Sequence, residues 1–228
     1  MTNLPLLYID EAIIVVDKPS GLLSIPDGYQ PDLENCLTIL QRSFGKLFTT
    51  HRLDKDTSGT LLFARNAEAH QLINTQFQNR QVKKVYLAWV SGELEQQHVE
   101  VSTPLRVNAD RKHRTLPDSQ CGKPAGTRVR LLENGDFGSL VAAYPSTGYT
   151  HQIRSHLAFI NHPVLFDPLY NPLYKPQKNG QTRLPEQRLM LHSYQLQLTH
   201  PVSLHNILIT APIPADFLPP LCLIESLL

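Results

Sequence analysis

Strand signals that outnumber helix signals, paired strand patterns around tight turns, and the lack of any linker long enough to separate domains predict an α+β fold. The expected architecture is a mixed, largely antiparallel sheet flanked by helices and loops. The chain has 228 residues, enough for an ample core, and residues 1–228 read as a single domain. Apolar residues at 41% and charged residues at 18% describe a folded globular chain rather than a disordered one.

The elements follow in order. Residues 13–16 form a β-branched run closed by Lys18, Pro19, Ser20 and Gly21, a strand followed by a turn. Residues 22–26 (LLSIP) make a second short extended piece. Pro31 and the acids after it open a helix in which Leu33, Cys36, Leu37, Leu40 and Phe44 recur at helical spacing, with Gly45 to close it. Residues 60–63 read as a short buried strand. Asn66 caps a second helix whose buried stripe is Ala69, Leu72, Ile73 and Phe77. From Val85 onward, residues 82–90 (VKKVYLAWV) are apolar on both alternating faces, the mark of a strand covered on both sides. Residues 126–132 and 139–144 pair around a turn at 133–138. Thr150 is placed to cap a helix over 151–161, with Ile153, Leu157 and Ile160 facing inward and Pro163 ending it. Arg154 falls in the first turn of that helix, where a cation opposes the dipole, so a paired anion is expected beside it. Residues 170–188 are rich in Pro, Asn, Lys and Gln without apolar period and read as a mobile surface loop. Strands over 189–198 and 207–209 complete the chain.

Charge and cysteine usage bound the function. The 21 Lys and Arg nearly cancel the 20 Asp and Glu, leaving +1, so only local clustering of basic residues can argue for nucleic acid. Cys36, Cys121 and Cys222 are far apart and odd in number, which disfavours a disulfide framework and fits a reducing compartment. The N-terminal stretch lacks a basic region followed by a long apolar core, so no signal peptide is expected. No apolar run approaches the roughly 20 residues that span a bilayer. A soluble, cytoplasmic protein without membrane attachment is the expectation.

The densest functional signal is residues 51–60, HRLDKDTSGT. His51, Arg52, Lys55, Asp54 and Asp56 crowd into six positions, followed by a Thr-Ser-Gly turn. Such charge is costly in a core and belongs on a loop at the mouth of a cleft, anchored by the apolar strand that follows. An acid held among cations stays ionised, which suits a nucleophile better than a proton donor. Taken alone, the same string is more often an ordinary charged turn, and Asp56 reads as a turn or surface residue. The second signal is basic. Arg106, Arg111, Lys112, His113, Arg114, Lys123, Arg128 and Arg130 fall within residues 105–130, with Asp110 and Asp118 opposing them. A phosphate-tracking surface is the functional reading, a solvated loop the bland one.

Several chemistries lack their motifs. There is no GxxxxGK[ST] or GxGxxG phosphate cradle, no HExxH, no nucleophile elbow, and the histidines of 151–162 do not share a helical face. An aspartate without metal or cofactor can still attack an electrophilic carbon or stabilise an oxocarbenium-like sugar. That points to glycosidic chemistry on an anionic substrate.

The residues resemble the RluA-type pseudouridine synthases over nearly the whole chain. VVDKPSGLLSIP is similar to that family's first motif, HRLDKDTSGTLLFARN to its catalytic motif, and QFQNRQVKKVYLAWVSG to its Tyr-bearing strand. GKPAGT, PSTGYTHQIRSHLAFINHPVLFD, RLMLHS and THP follow in place. The resemblance implies a pseudouridine-synthase-type catalytic domain alone, without room for an S4-type RNA-binding domain, and with the active cleft across the sheet. It implies Asp54 as the catalytic aspartate, which attacks the ribose C1′ or assists elimination there. The base then turns and reattaches through C5 without cofactor or metal. Tyr86 matches the tyrosine that stacks on the base and serves in proton removal, and Arg154 matches the arginine that pairs with the aspartate. Arg52 would fill the gap left by a flipped uridine. His51, Arg111, Lys112 and Arg114 are further candidates for RNA contact, His51 with a second reading as a residue that fixes the loop.

Three positions depart from the family pattern. Tyr149 stands where Arg or Lys is usual, Ser155 where a small apolar residue is common, and Phe166-Asp167 where Gly-Asp is usual. The expected partner is structured RNA, ribosomal or transfer, with no obligate protein partner and a monomeric state. Two alternatives share these residues. One is an RNA N-glycosidase that releases the base, the other a non-catalytic RNA-binding module on the same scaffold.

Overall fold

The computed structural model describes residues 4–136, 138–171 and 188–217. In chain order the elements are β1 (Leu6–Ile9), β2 (Ile13–Lys18), α1 (Cys36–Phe44), β3 (Phe48–Thr49), β4 (Ser58–Ala64), α2 (Ala67–Gln78), β5 (Lys83–Val90) and β6 (His98–Val101). They continue with β7 (Leu105–Arg106), β8 (Leu116–Pro117), β9 (Thr127–Gly135), β10 (Gly138–Pro145), α3 (Gln152–Phe159), β11 (Leu191–Thr199) and β12 (Asn206–Thr210). The fold is α+β, as the strand-rich pattern predicts. The chain divides into two compact units, Met1–Lys84 with His192–Ile213, and Val85–Leu191 with Pro214–Leu227.

The first unit is built on a mixed sheet. β1 and β2 pair antiparallel, β2 pairs antiparallel with β4 from Ile13↔Ala64 to Lys18↔Gly59, and β3 adds to β4 at Phe48↔Ala64. β11 runs parallel to β4 at His192↔Ser58 and Ser193↔Gly59, and β12 pairs antiparallel with β11. The parallel contact requires a glycine. Gly59 has φ +107, and a Cβ there would lie 2.2 Å from the Ser193 carbonyl oxygen. The core joins Ile13, Val15 and Leu62 of the sheet to Ala69 and Ile73 of α2 and to Leu196, Leu198 and Ile209.

The second unit carries β5, β10, β9 and β6 in antiparallel succession, with the small ribbon β7–β8 and helix α3. All of β5 from Val85 to Val90 is buried except Tyr86, which is half-buried. Leu165 N donates to Trp89 O at 2.8 Å and Met190 N to Leu165 O at 3.1 Å, so the chain after α3 returns along β5.

Local chemistry shifted several element boundaries. α1 starts at Cys36, not near Pro31, because the Asn35 side chain accepts from Thr38 N and captures the helix start. Leu33 therefore lies outside the helix and is exposed. Residues 22–26 form no strand but a bend, with one bridge from Leu23 to Asn35. Asn66 caps α2 as expected, accepting from Ala69 N at 2.9 Å, while Leu72 of the expected stripe is 42% exposed. Thr150 does not cap α3. The cap position is His151, at φ 55 and without a side-chain cap bond, and the Thr150 carbonyl instead accepts from Thr115 Oγ1. Within the loop expected over 170–188, residues 172–187 lie outside the described residues. Tyr170 and Asn171 are buried, and Arg188 pairs with Asp216 at 2.8 Å. No helix among the described residues is long and apolar enough to cross a membrane.

Candidate active site

Asp54 lies half-buried on the loop between β3 and β4, and the backbone on both sides of it is tied down residue by residue. Ser24 Oγ donates to Leu53 O at 2.8 Å and accepts from Leu53 N at 3.0 Å. Thr57 N donates to Asp54 O at 3.1 Å and Gly21 N to Lys55 O at 3.0 Å. Lys18 Nζ donates to Lys55 O at 2.7 Å, and Ser20 Oγ to Asp56 O at 2.7 Å. Segment 18–24, with the Thr57 amide, thus clamps four successive residues, 53–56. Lys18 is fully buried, and its ammonium also donates to the Pro19 and Leu22 carbonyls at 2.9 and 2.6 Å. A buried cation needs such a cage, and here the cage includes the aspartate loop.

The residues after Asp54 are held from the other end of the chain. Ser58 Oγ lies 2.8 Å from His192 Nδ1, and Thr60 Oγ1 lies 2.8 Å from Ser193 Oγ, with all four residues buried. The charged cluster that opens the 51–60 string resolves into separate duties. His51 faces inward: its Nε2 accepts from Leu62 N at 3.1 Å and its ring centroid is 5.2 Å from that of Phe77. Burial and then the Lys84 cation push the His51 pKa down to about 3, so the ring is neutral and belongs to the scaffold. Arg52 is exposed. Lys84 is itself pushed down to about 8 by desolvation, a perturbation typical of functional sites.

In the second unit Tyr86 pairs with Ala143 across β5 and β10. Its neighbours Val85 and Leu87 point to the opposite, buried face. Arg154 occupies α3 at 4% exposure. The anion expected beside it is present. Asp167, fully buried, accepts from Arg154 Nε at 2.7 Å and from Nη2 at 2.8 Å, a fork-on-carboxylate pair. Two other side chains of α3 pin it to residues 126 and 127. Gln152 Nε2 donates to Gly126 O at 2.9 Å, and His156 Nδ1 lies 2.8 Å from Thr127 Oγ1.

The basic segment divides by exposure. Arg111, Lys112 and His113 are exposed on a turn closed by Asp110, whose Oδ1 accepts from the Lys112 and Arg114 amides. Those bonds, led by the Arg114 amide, lower the Asp110 pKa. Arg114 is engaged internally, with Nε on Asp110 Oδ2 at 2.7 Å and Nη1 on Leu169 O at 3.3 Å. The structure therefore separates Arg114 from the exposed pair Arg111 and Lys112.

Lys18, Ser20, Ser24, His192 and Asp167 escaped the sequence reading as site residues. The signal was their place inside motifs that resemble the family: DKPSGLLS, LHS and the Phe166-Asp167 pair. Periodicity could not assign them partners, because these lie 13 to 134 residues away.

Comparison with known proteins bears on the same segments. The RNA pseudouridylate synthase family matches residues 12–159. The dual-specificity RNA pseudouridine synthase RluA of Haemophilus influenzae is 34% identical over 201 residues, covering 88% of this chain and 89% of that one. Ribosomal large subunit pseudouridine synthase D of Nitrosomonas europaea is 38% identical over 221 residues, which are 93% of this chain and 63% of that relative's length. The solved structure of human RNA pseudouridylate synthase domain containing 1 superposes with a TM-score of 0.77 at 28% identity, covering 99% of this chain and 91% of that one. With the motif-bearing segments, the fold and the relatives in agreement, the chain belongs to the RNA pseudouridylate synthase family, isomerases that act on RNA.

Proposed function

We propose that this enzyme converts specific uridines of structured RNA, ribosomal, transfer or both, to pseudouridine, with Asp54 as its catalytic group. The observation that carries the assignment is the clamp on residues 53–56, which fixes the backbone on both sides of the half-buried Asp54. Asp56 is half-buried on the same loop, and the resemblance of the 51–60 string to the family's catalytic motif is what selects Asp54. Catalysis by positioning needs that rigidity, since small displacements of a reacting group cost large factors in rate. Asp54 attacks the ribose C1′ or assists elimination there, and the N1–C1′ bond breaks. The uracil turns and C5 bonds to C1′, either as the aspartate ester formed there breaks and frees Asp54 or as the proton removed in elimination returns to the sugar. The C5 proton is then lost while N1 regains one. Atoms and electrons balance without an oxidant, a reductant or a group donor.

Tyr86 and Arg154 are proposed as supporting groups. An aromatic face under the base contributes about 1–3 kcal/mol of stacking without reading sequence, and Tyr86 is the residue of Val85–Val90 that the core does not enclose. Arg154 is assigned by the resemblance, as the match to the arginine that pairs with the catalytic aspartate in that family. Arg52, exposed beside Asp54, takes the space vacated by the flipped uridine, an event costing a few kcal/mol that phosphate contacts from Arg111 and Lys112 offset. His51 and Arg114 support these contacts from the scaffold side. Similar proteins are named for the ribosomal large subunit and for dual specificity, which supports more than one class of RNA target. A cytoplasmic monomer acting as one catalytic domain over residues 1–228 completes the proposal; sedimentation at micromolar concentration checks the monomer.

Tritium release from RNA labelled at C5 of uridine tests the reaction. Wild type should release tritium from unmodified ribosomal or transfer RNA, and Asp54→Asn should fall to background. Free uracil in place of retained base would make the protein a glycosidase. No release from any RNA, by a protein shown to be folded, would leave a binding module.

A further inference from the structure

Asp167 accepts four hydrogen bonds. Two come from Arg154, and two come to Oδ1 from the amides of Leu169 and Tyr170, at 2.9 and 3.2 Å. The carboxylate therefore belongs to the 167–170 turn as firmly as to the arginine. Holding the Nε–Nη2 edge of a guanidinium fixes its plane. The Tyr170 ring adds a second restraint, its centroid 5.1 Å from the guanidinium carbon.

The same turn is gripped from the basic segment. Tyr170 Oη accepts from Thr115 N at 2.7 Å and lies 3.1 Å from His151 Nδ1. Leu169 O accepts from Arg114 Nη1. A continuous set of bonds thus runs from the turn bearing Arg111 and Lys112, through Tyr170 and Asp167, to Arg154.

Stability does not account for a pair buried this deeply. Desolvation of two charges roughly cancels their attraction, and apolar residues of similar volume commonly do as well. What an ionic pair supplies and an apolar one does not is direction. We propose that Asp167 is a positioning residue for the isomerisation, holding the guanidinium of Arg154 in one plane and, through the Tyr170 turn, in register with the basic segment. This rests on the reading of Arg154 as an active-site group.

A mutant cycle tests it: wild type, Arg154→Ala, Asp167→Asn and the double variant, each followed by kcat, KM and thermal midpoint on an RNA that releases tritium. Asp167→Asn should lower kcat by about tenfold or more while KM moves less than about threefold. In the Arg154→Ala background the same change should lower kcat no further, because its route of action is gone. Losses that multiply would overturn the proposal and leave Asp167 a fold residue only. Full activity of Arg154→Ala would instead overturn the reading of Arg154 beneath it. If Asp167→Asn does not fold, Asp167→Glu takes its place in the cycle. It keeps the charge, displaces the guanidinium, and carries the same expectation and the same overturning result.

Discussion

Ser155 lies in α3 at 1% exposure, and its hydroxyl has no hydrogen-bond partner among the described residues. A buried hydroxyl left unpaired costs about 1–3 kcal/mol. Ser155→Ala removes that cost and adds helix propensity, so stability should rise by about 1 kcal/mol and the thermal midpoint by about 2–4 °C. A calorimetric scan showing no rise would mean the hydroxyl is satisfied. His51 gives a pH signature with a definite sign. The unfolded chain binds a proton at this ring below about 6.5, which the folded chain refuses until about 3. Its stabilising contribution is full above 6.5 and falls as pH drops through that window, by up to about 1.4 kcal/mol per pH unit. His51→Gln keeps an acceptor for Leu62 N, so urea titrations between pH 6.5 and 4 should show a flatter loss of stability than wild type. Phe166 carries a different cost. It sits at φ 57, a left-handed conformation that the glycine usual in the family adopts freely.

At the scale of elements, the strand–turn of residues 13–24 serves chiefly to hold another element, the aspartate loop. β2 pairs with β4 so that Lys18 stands opposite Gly59, which brings the buried ammonium to the Lys55 carbonyl. Lys18→Met would take this donor from the Pro19 and Leu22 carbonyls and leave Lys55 O with the Gly21 amide, costing about 2 kcal/mol or more. Ser24→Ala, which loses both bonds to Leu53, should cost about 1–2 kcal/mol. The same change should lower kcat more than it raises KM. A pure KM effect would mean that the clamp does not act on the reaction. Helix α3 is built on the opposite plan. Gln152, Arg154 and His156 each bond a different group outside the helix, so its sequence is set by partners rather than by helix propensity.

At the scale of the whole molecule, a net charge of +1 offers almost no long-range attraction to RNA. Binding must then rest on local clusters, and the exposed turn with Arg111 and Lys112 is the clearest among the described residues. Arg111→Ala with Lys112→Ala should weaken RNA binding and flatten the slope of log affinity against log salt, by about 1 for each phosphate no longer neutralised. Filter binding across a salt series reads this directly. An unchanged slope would place the phosphate contacts elsewhere. Arg114, already engaged with Asp110 and Leu169, behaves differently: Arg114→Ala should leave the slope nearly unaltered while lowering stability.

By itself the sequence determined the fold class and the reaction family, and it singled out the aspartate proposed at the centre. The fold class rests on local signals, strand alternation and the caps at Asn66 and Gly45, and the charge density of residues 51–60 is legible in the same way. The reaction family and the choice of Asp54 rest on the resemblance of whole motifs. Tertiary structure alone decided what holds these groups in place. Burial of Lys18, the closure of Ser24 on Leu53, the pairing of Ser58 with His192 and of Arg154 with Asp167 all join residues distant in the chain. A buried polar group is tolerated only where its hydrogen bonds close, and that closure depends on which segments meet in the folded protein rather than on the order in which they are written.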